Sequence, residues 1–170
     1  GGLNIIEFQG AGNFTVSRVT PSKTKLQELD DSLLLFFTGI TRRAENLERS
    51  KLKNLPALRA NLKRMVHMVE RGHKILTGNA PLAAFGELLD SAWREKRALG
   101  SGVSHPIINR MYEQALKGGA LGGKLLGAGG GGFMLLFVPP ERQAKLRKAL
   151  RDYAEVRFAI NAPGSRIIHS

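Results

Sequence analysis

The chain has 170 residues, 42% hydrophobic and 24% charged, with a formal net charge of +12 and no cysteine. That length holds one domain with a real core or two small ones, and the absent thiols exclude a disulfide framework and a thiolate metal site, in keeping with a cytoplasmic setting. No apolar run is long enough to cross a membrane, and the opening Gly1-Gly2-Leu3-Asn4 has neither a signal peptide's character nor a methionine, so the chain reads as a piece from inside a longer protein.

Residues 3–8 and 14–19 are expected to be strands around the glycine-rich turn at 9–13. Residues 21–25 form a polar break, and Asp30-Asp31 read as turn residues rather than a metal or base site. Residues 32–38 (SLLLFFT) are an apolar run of strand length, expected at the centre of a sheet. A charged helical stretch starts at Thr41. Asn54-Leu55-Pro56 has the form of a helix start, followed by an apolar stripe of Leu55, Leu58, Leu62, Met65, Val66, Val69 and Leu76. Asn79-Ala80-Pro81 opens the next helix, with Leu82, Phe85, Leu89, Trp93 and Leu99 on its stripe. Ser104-His105-Pro106 opens a third, with Ile107, Ile108, Met111, Tyr112, Ala115 and Leu116 facing inward and Gly118-Gly119 closing it.

The stretch 122–139, GGKLLGAGGGGFMLLFVP, places glycines between apolar segments at 124–126 and 133–138. Such a strand–loop–strand lets backbone N–H groups approach a phosphate with no Cβ in the way. A wide hairpin turn or a close backbone contact would explain the glycines equally well. A helix over 140–153 and short strands at 156–160 and 166–169 finish the chain. The succession strand, helices, strand, strand, helix, strand is that of an α+β domain, a ferredoxin-like split β–α–β sheet with inserted helices packed on one face. The opening hairpin has no place in that pattern. It is expected to belong to the edge of a missing preceding domain, giving a division into 1–25 and 26–170.

The basic residues are spread along the chain. Their densest cluster, Arg142, Lys145, Arg147, Lys148 and Arg151, shares a helix with Leu146, Leu150 and Tyr153 and reads as its solvated face. With aromatics at 6% and none interleaved with that cluster, no base-stacking platform is expected. The four histidines, His67, His73, His105 and His169, are isolated, so no metal site is expected.

KLLGAGGGGFMLLF resembles the third signature motif of the GHMP kinases, whose glycine loop lies between two strands of a C-terminal ferredoxin-like domain. FFTGITRRAENL (36–47), the segment 91–124 and GGLNIIEF (1–8) resemble the branch acting on D-glycero-D-manno-heptose 7-phosphate, so the resemblance covers nearly the whole chain. It implies an enzyme that moves the γ-phosphoryl of ATP, with Mg²⁺, onto the anomeric hydroxyl of that sugar phosphate. It also implies substrate-binding roles for Thr38, Gly39, Arg42, Lys96 and Arg97, and a site-facing loop of Gly127, Ala128, Gly129, Gly130, Gly131 and Gly132. From the residues alone, Arg42 could equally pair with Glu45 or Glu48, Lys96 and Arg97 read as surface residues, and Trp93 reads as core.

The family's nucleotide loop and the acidic residue ahead of the Gly-Gly-Leu-Asn segment have no counterpart here. The chain is therefore expected to be catalytically inert alone, to hold neither ATP nor metal tightly, and to dimerise through an exposed inter-domain face. Other GHMP sugar or isoprenoid kinases, and a basic ferredoxin-like nucleic-acid-binding module, are the alternatives.

Overall fold

The computed structural model describes residues 2–41, 55–100, 102–127 and 129–160. The expected hairpin is present: β1 (Asn4–Phe8) pairs antiparallel with β2 (Phe14–Arg18) around a single 3₁₀ turn at Gly10–Gly12. It is tied to the body of the domain at its open end. Val19 N–H donates to Leu3 O at 2.9 Å, and buried Val19 packs with Leu29, Leu33 and Leu76. The far end reaches into solvent, with Phe8 84% and Phe14 60% exposed.

The polar break and the Asp30-Asp31 turn are corrected by the structure. Residues Lys23–Ser32 form a helix, α1, capped by Ser22, whose Oγ accepts from Lys25 N–H at 3.2 Å. Its charged sequence offers little apolar periodicity, with Leu29 its one fully buried apolar side chain. Tertiary ties hold it instead. Asp30 Oδ1 accepts from Ile160 N–H at 2.9 Å, and Lys25 Nζ donates to the carbonyls of Ile75 (2.8 Å), Gly78 (2.6 Å) and Ala80 (2.9 Å). These carbonyls end α2 (Leu55–Thr77), so Lys25 satisfies acceptors a helix terminus leaves open and meets the negative end of its dipole. Lys25→Met should cost about 2 kcal/mol, the range for hydrogen bonds from a charged donor. An unchanged urea midpoint would show that water replaces the ammonium without loss.

The apolar run forms β3 (Leu33–Phe37). After α2 come α3 (Ala83–Arg97), α4 (Pro106–Gly118), β4 (Gly122–Leu125), β5 (Phe133–Phe137), α5 (Gln143–Ala149) and β6 (Glu155–Val156). The sheet order is β4-β5-β3-β6, with every neighbouring pair antiparallel. β3 and β4 therefore run the same way with β5 between them. The helix at 140–153 is shorter than expected, a 3₁₀ turn at Pro140–Arg142 followed by α5, and the strand expected at 156–160 shrinks to β6. The helical stretch after Thr41 and the strand at 166–169 lie outside the described residues.

Helices cover both faces of the sheet, not one. Leu34, Phe36, Leu125, Met134 and Leu136 pack against Ile108, Met111 and Ala115 of α4 and Leu146 of α5. Leu33 and Phe137, on the other face, pack with Leu29 of α1, Leu76 of α2 and Leu88 of α3. The reason lies in β3, whose five apolar side chains alternate between faces and leave neither fit for water. Two expected stripes are only partly buried. On α4, Ile107 and Leu116 face outward; on α2, Leu62, Val66 and Val69 do so.

α3 crosses β4 at backbone contact. A Cβ on Gly122 would stand 2.0 Å from Gly86 O and 2.7 Å from Asp90 N, and one on Gly86 would stand 2.7 Å from the Phe137 ring. His105 caps α4, its Nδ1 accepting from Ile107 N–H at 3.3 Å, so the expected start at Pro106 is realised with histidine in the capping place.

Candidate functional site

The C-terminal ends of β3 and β4 and the N-terminal end of β5 lie at one end of the sheet, because β5 runs against its two neighbours. The glycine loop spans that end. Leu126 N–H donates to Phe133 O at 2.9 Å and closes the hairpin beneath it. Thr38 is almost fully buried next to the loop's exit. Its N–H and Oγ both donate to Gly132 O, at 2.9 and 2.8 Å, and Gly132 N–H donates to Ile40 O at 2.8 Å. On the opposite side, Gly130 N–H donates to Val103 O at 2.9 Å. At the entrance, Lys96 Nζ donates to Leu125 O at 3.1 Å and to Gly127 O at 2.5 Å.

The loop is thus held by its neighbours, and its N–H groups divide into two sets. Those of Gly130 and Gly132 are taken by carbonyls of the fold. Those of Gly127, Gly129 and Gly131 have no acceptor among the described residues. Close contacts require glycine at Gly129 and Gly131. A Cβ on Gly131 would stand 2.5 Å from Ile40 O, and Gly129 combines φ +111° with a Cβ position 2.9 Å from Val103 O. The close-contact explanation of the glycines is therefore realised, together with a layout that leaves three described amides open.

Thr38, Gly39, Lys96 and the described loop glycines converge at this end of the sheet. Arg97, next to Lys96 at the end of α3, holds its guanidinium 5.7 Å from the centre of the Trp93 ring. Trp93 is fully buried, as its place on the stripe implied. Trp93 Nε1 and Arg97 Nε are both buried donors without an acceptor among the described residues. Arg42 and Ala128 lie outside the described residues.

Sequence reasoning missed the loop's acceptors, Val103 O and Ile40 O, because backbone carbonyls carry no signature in residue type. It also missed the tie between Tyr112 and Asp90. Tyr112 Oη donates to Asp90 Oδ1 at 2.7 Å, while Arg94 holds the other oxygen at 2.7 Å. Burial, with Asp90 adding to it, pushes the Tyr112 phenol far above its ordinary range, so it keeps its proton and serves packing. Among the described residues no three His, Asp or Glu side chains are grouped as a metal site. Of the basic cluster, Arg147 is engaged by both oxygens of Glu155, at 2.8 and 2.9 Å. Phe137 is buried, and Phe133 packs on Phe37 with ring centroids 5.3 Å apart.

A second feature lies on the α2–α3 side. An apolar groove of about 620 Å³ runs between Leu3 and Val19 at the hairpin base, Val66 and Val69 of α2, and Leu88 of α3. Lys124 of β4 lines it, and burial holds the Lys124 ammonium below the usual lysine range. The unfolded chain binds more protons than the folded one between that lowered value and about 10.4, so stability rises with pH through this window. Below that lowered value both states carry the charge and the penalty is fully present. Lys124→Met should therefore be the more stable form at neutral pH, with the gap to the parent chain closing as pH rises. A gap independent of pH, read from urea midpoints, would show that Lys124 is not penalised.

Residues 79–156 match the model of the GHMP kinases C-terminal family. Over 157 residues, 89% of the chain, 33% are identical to a D-glycero-alpha-D-manno-heptose 7-phosphate kinase of Campylobacter jejuni. This chain belongs to the GHMP kinases. The match covers 45% of that relative, so the chain spans about half the length of the protein it matches. It is also 31% identical over 133 residues to an L-fucokinase/L-fucose-1-P guanylyltransferase of Bacteroides fragilis, covering 75% of the chain and 14% of that protein. Its fold superposes on the crystal structure of L. major mevalonate kinase in complex with R-mevalonate with a TM-score of 0.71, at 20% identity, covering 89% of this chain and 45% of that one. GHMP kinases are ATP-dependent phosphotransferases that use Mg²⁺.

Proposed function

We propose that the chain is the C-terminal half of a kinase that transfers the γ-phosphoryl of ATP to the anomeric hydroxyl of D-glycero-D-manno-heptose 7-phosphate, giving the 1,7-bisphosphate. The observation that carries this reading is the 33% identity, over 89% of the chain, with the Campylobacter jejuni heptose 7-phosphate kinase. The geometry supports it. Phosphoryl transfer depends on positioning and on stabilising charge on phosphate oxygens, and the loop offers the Gly129 and Gly131 amides from a fixed frame. Mg²⁺, when bound, neutralises charge on the nucleotide phosphates. Its ligands are expected from the preceding half, since no described acidic cluster fits them.

In this reading Arg42 and Arg97 neutralise the 7-phosphate, and the enzyme works in the cytoplasm. Thr38 and Gly39 shape the wall behind the loop. The division at 1–25 and 26–170 needs one refinement: the hairpin's exposed end belongs with the preceding half, and its base with this domain. Taken alone, the chain should pair through the exposed Ile6, Phe8, Phe14 and Val16. Sedimentation tests that, and a monomer at all concentrations would count against it.

A second reading, an L-fucose kinase, rests on the 31% identity with the Bacteroides fragilis protein. The longer protein containing this chain, assayed with ATP and either heptose 7-phosphate, L-fucose or mevalonate, separates the readings. Turnover of the heptose is expected. Turnover of L-fucose alone would select the second reading, and turnover of mevalonate alone would reject both.

A further inference from the structure

We propose that Lys96 is a positioning residue, the strap that sets the geometry of the glycine loop, and not a ligand of the sugar phosphate. Its Nζ reaches from the last turn of α3 to two carbonyls that straddle the point where β4 ends and the loop begins, Leu125 O at 3.1 Å and Gly127 O at 2.5 Å. The peptide joining Leu125 to Leu126 is thereby fixed on both sides. Its carbonyl is held by Lys96, and its N–H donates to Phe133 O at 2.9 Å. Since a peptide unit is planar, its orientation leaves no freedom at the loop's entrance.

The other anchors lie further along the loop, at Gly130 on Val103 O and at Gly132 on Ile40 O and Thr38. Among the described residues, Lys96 is the single charged side chain that holds the loop. An ammonium suits this place. It carries several donors on one small atom and can meet carbonyls converging from different directions, which a planar guanidinium cannot copy. The same chain uses the same device once more, where Lys25 Nζ gathers three carbonyls at the end of α2. The open loop amides of Gly129 and Gly131 sit a few residues beyond the strap, and that of Gly127 lies at it, so a shift at the entrance moves them.

The catalytic consequence rests on the kinase reading; the strap itself does not. Two measurements keep them apart. In this chain, Lys96→Met should speed amide exchange at Gly130 and Gly132 about 10-fold or more relative to the amides of β5, because local opening is then cheaper than opening of the sheet. In the longer protein, the same substitution should lower kcat about 100-fold, the effect of a displacement near 1 Å at the reacting group, with KM for the sugar phosphate changed less than about threefold. Lys96→Arg keeps the charge but not the geometry, so it should leave kcat low.

Unchanged loop exchange would overturn the proposal. So would a raised KM at preserved kcat in Lys96→Met that Lys96→Arg restores, the signature of a charge that binds substrate. If the unsubstituted protein phosphorylates no sugar, the kinase reading fails, and the exchange measurement still decides the strap.

Discussion

Gly122→Ala is expected to prevent the domain from folding as it does, or to destabilise it by more than about 3 kcal/mol, at the upper end of overpacking costs. The added Cβ would lie 2.0 Å from Gly86 O, 2.7 Å from Asp90 N and 2.9 Å from Asp90 Cβ. Two of these neighbours are backbone atoms of α3, so no side chain can swing aside. The helix must lift from β4, and the Leu88 and Leu89 packing on that side goes with it. Asp90 would move too, breaking its contacts with Tyr112 and Arg94. Thermal or urea unfolding reads this directly. A variant with the parent's midpoint would mean that α3 slides on the sheet at no cost.

Gly131→Ala is expected to leave the fold intact and remove activity, with kcat falling about 100-fold, the scale on which a misplacement of 1 Å acts. Here the Cβ would stand 2.5 Å from Ile40 O, at a loop on the rim of the sheet, so the loop retreats while the core stays packed. Gly127→Ala is the contrasting case. Its Cβ enters open space, and only the φ of +73° resists it, at about 1 kcal/mol. Equal losses of kcat in the two variants, measured in the longer protein, would show that contact with Ile40 does not set the loop.

The glycine loop was legible because five glycines between two apolar segments have few uses. Its place between two strands followed from the apolar segments at 124–126 and 133–138, realised as β4 and β5. Helices α2, α3 and α4 were legible from their stripes, Asn79-Ala80-Pro81 and His105-Pro106 marking their starts to within a few residues. α1 was not legible: its turns carry Lys, Thr, Gln, Glu and Asp, and what fixes it comes from Ile160, Ile75, Gly78 and Ala80, remote in sequence. The double cover of the sheet follows from that missed helix and from α2 and α3 lying on the same side.

At the site, the family resemblance pointed to Lys96 as a positive charge for a substrate, while the residues alone made it a surface lysine. The structure shows its ammonium on two carbonyls, an interaction that no pattern of side chains announces. The engagement of Gly130 and Gly132 by the fold was equally invisible, and among the described loop residues it leaves the amides of Gly127, Gly129 and Gly131 open.

The central claim is tested most directly by following the phosphorus resonances of heptose 7-phosphate and ATP with this chain and, in parallel, with the longer protein that contains it. A new resonance from a phosphate on the anomeric carbon is expected with the longer protein and not with this chain alone. No such resonance from either would contradict the heptose kinase reading, and one from this chain alone would contradict the assignment of catalysis to the preceding half.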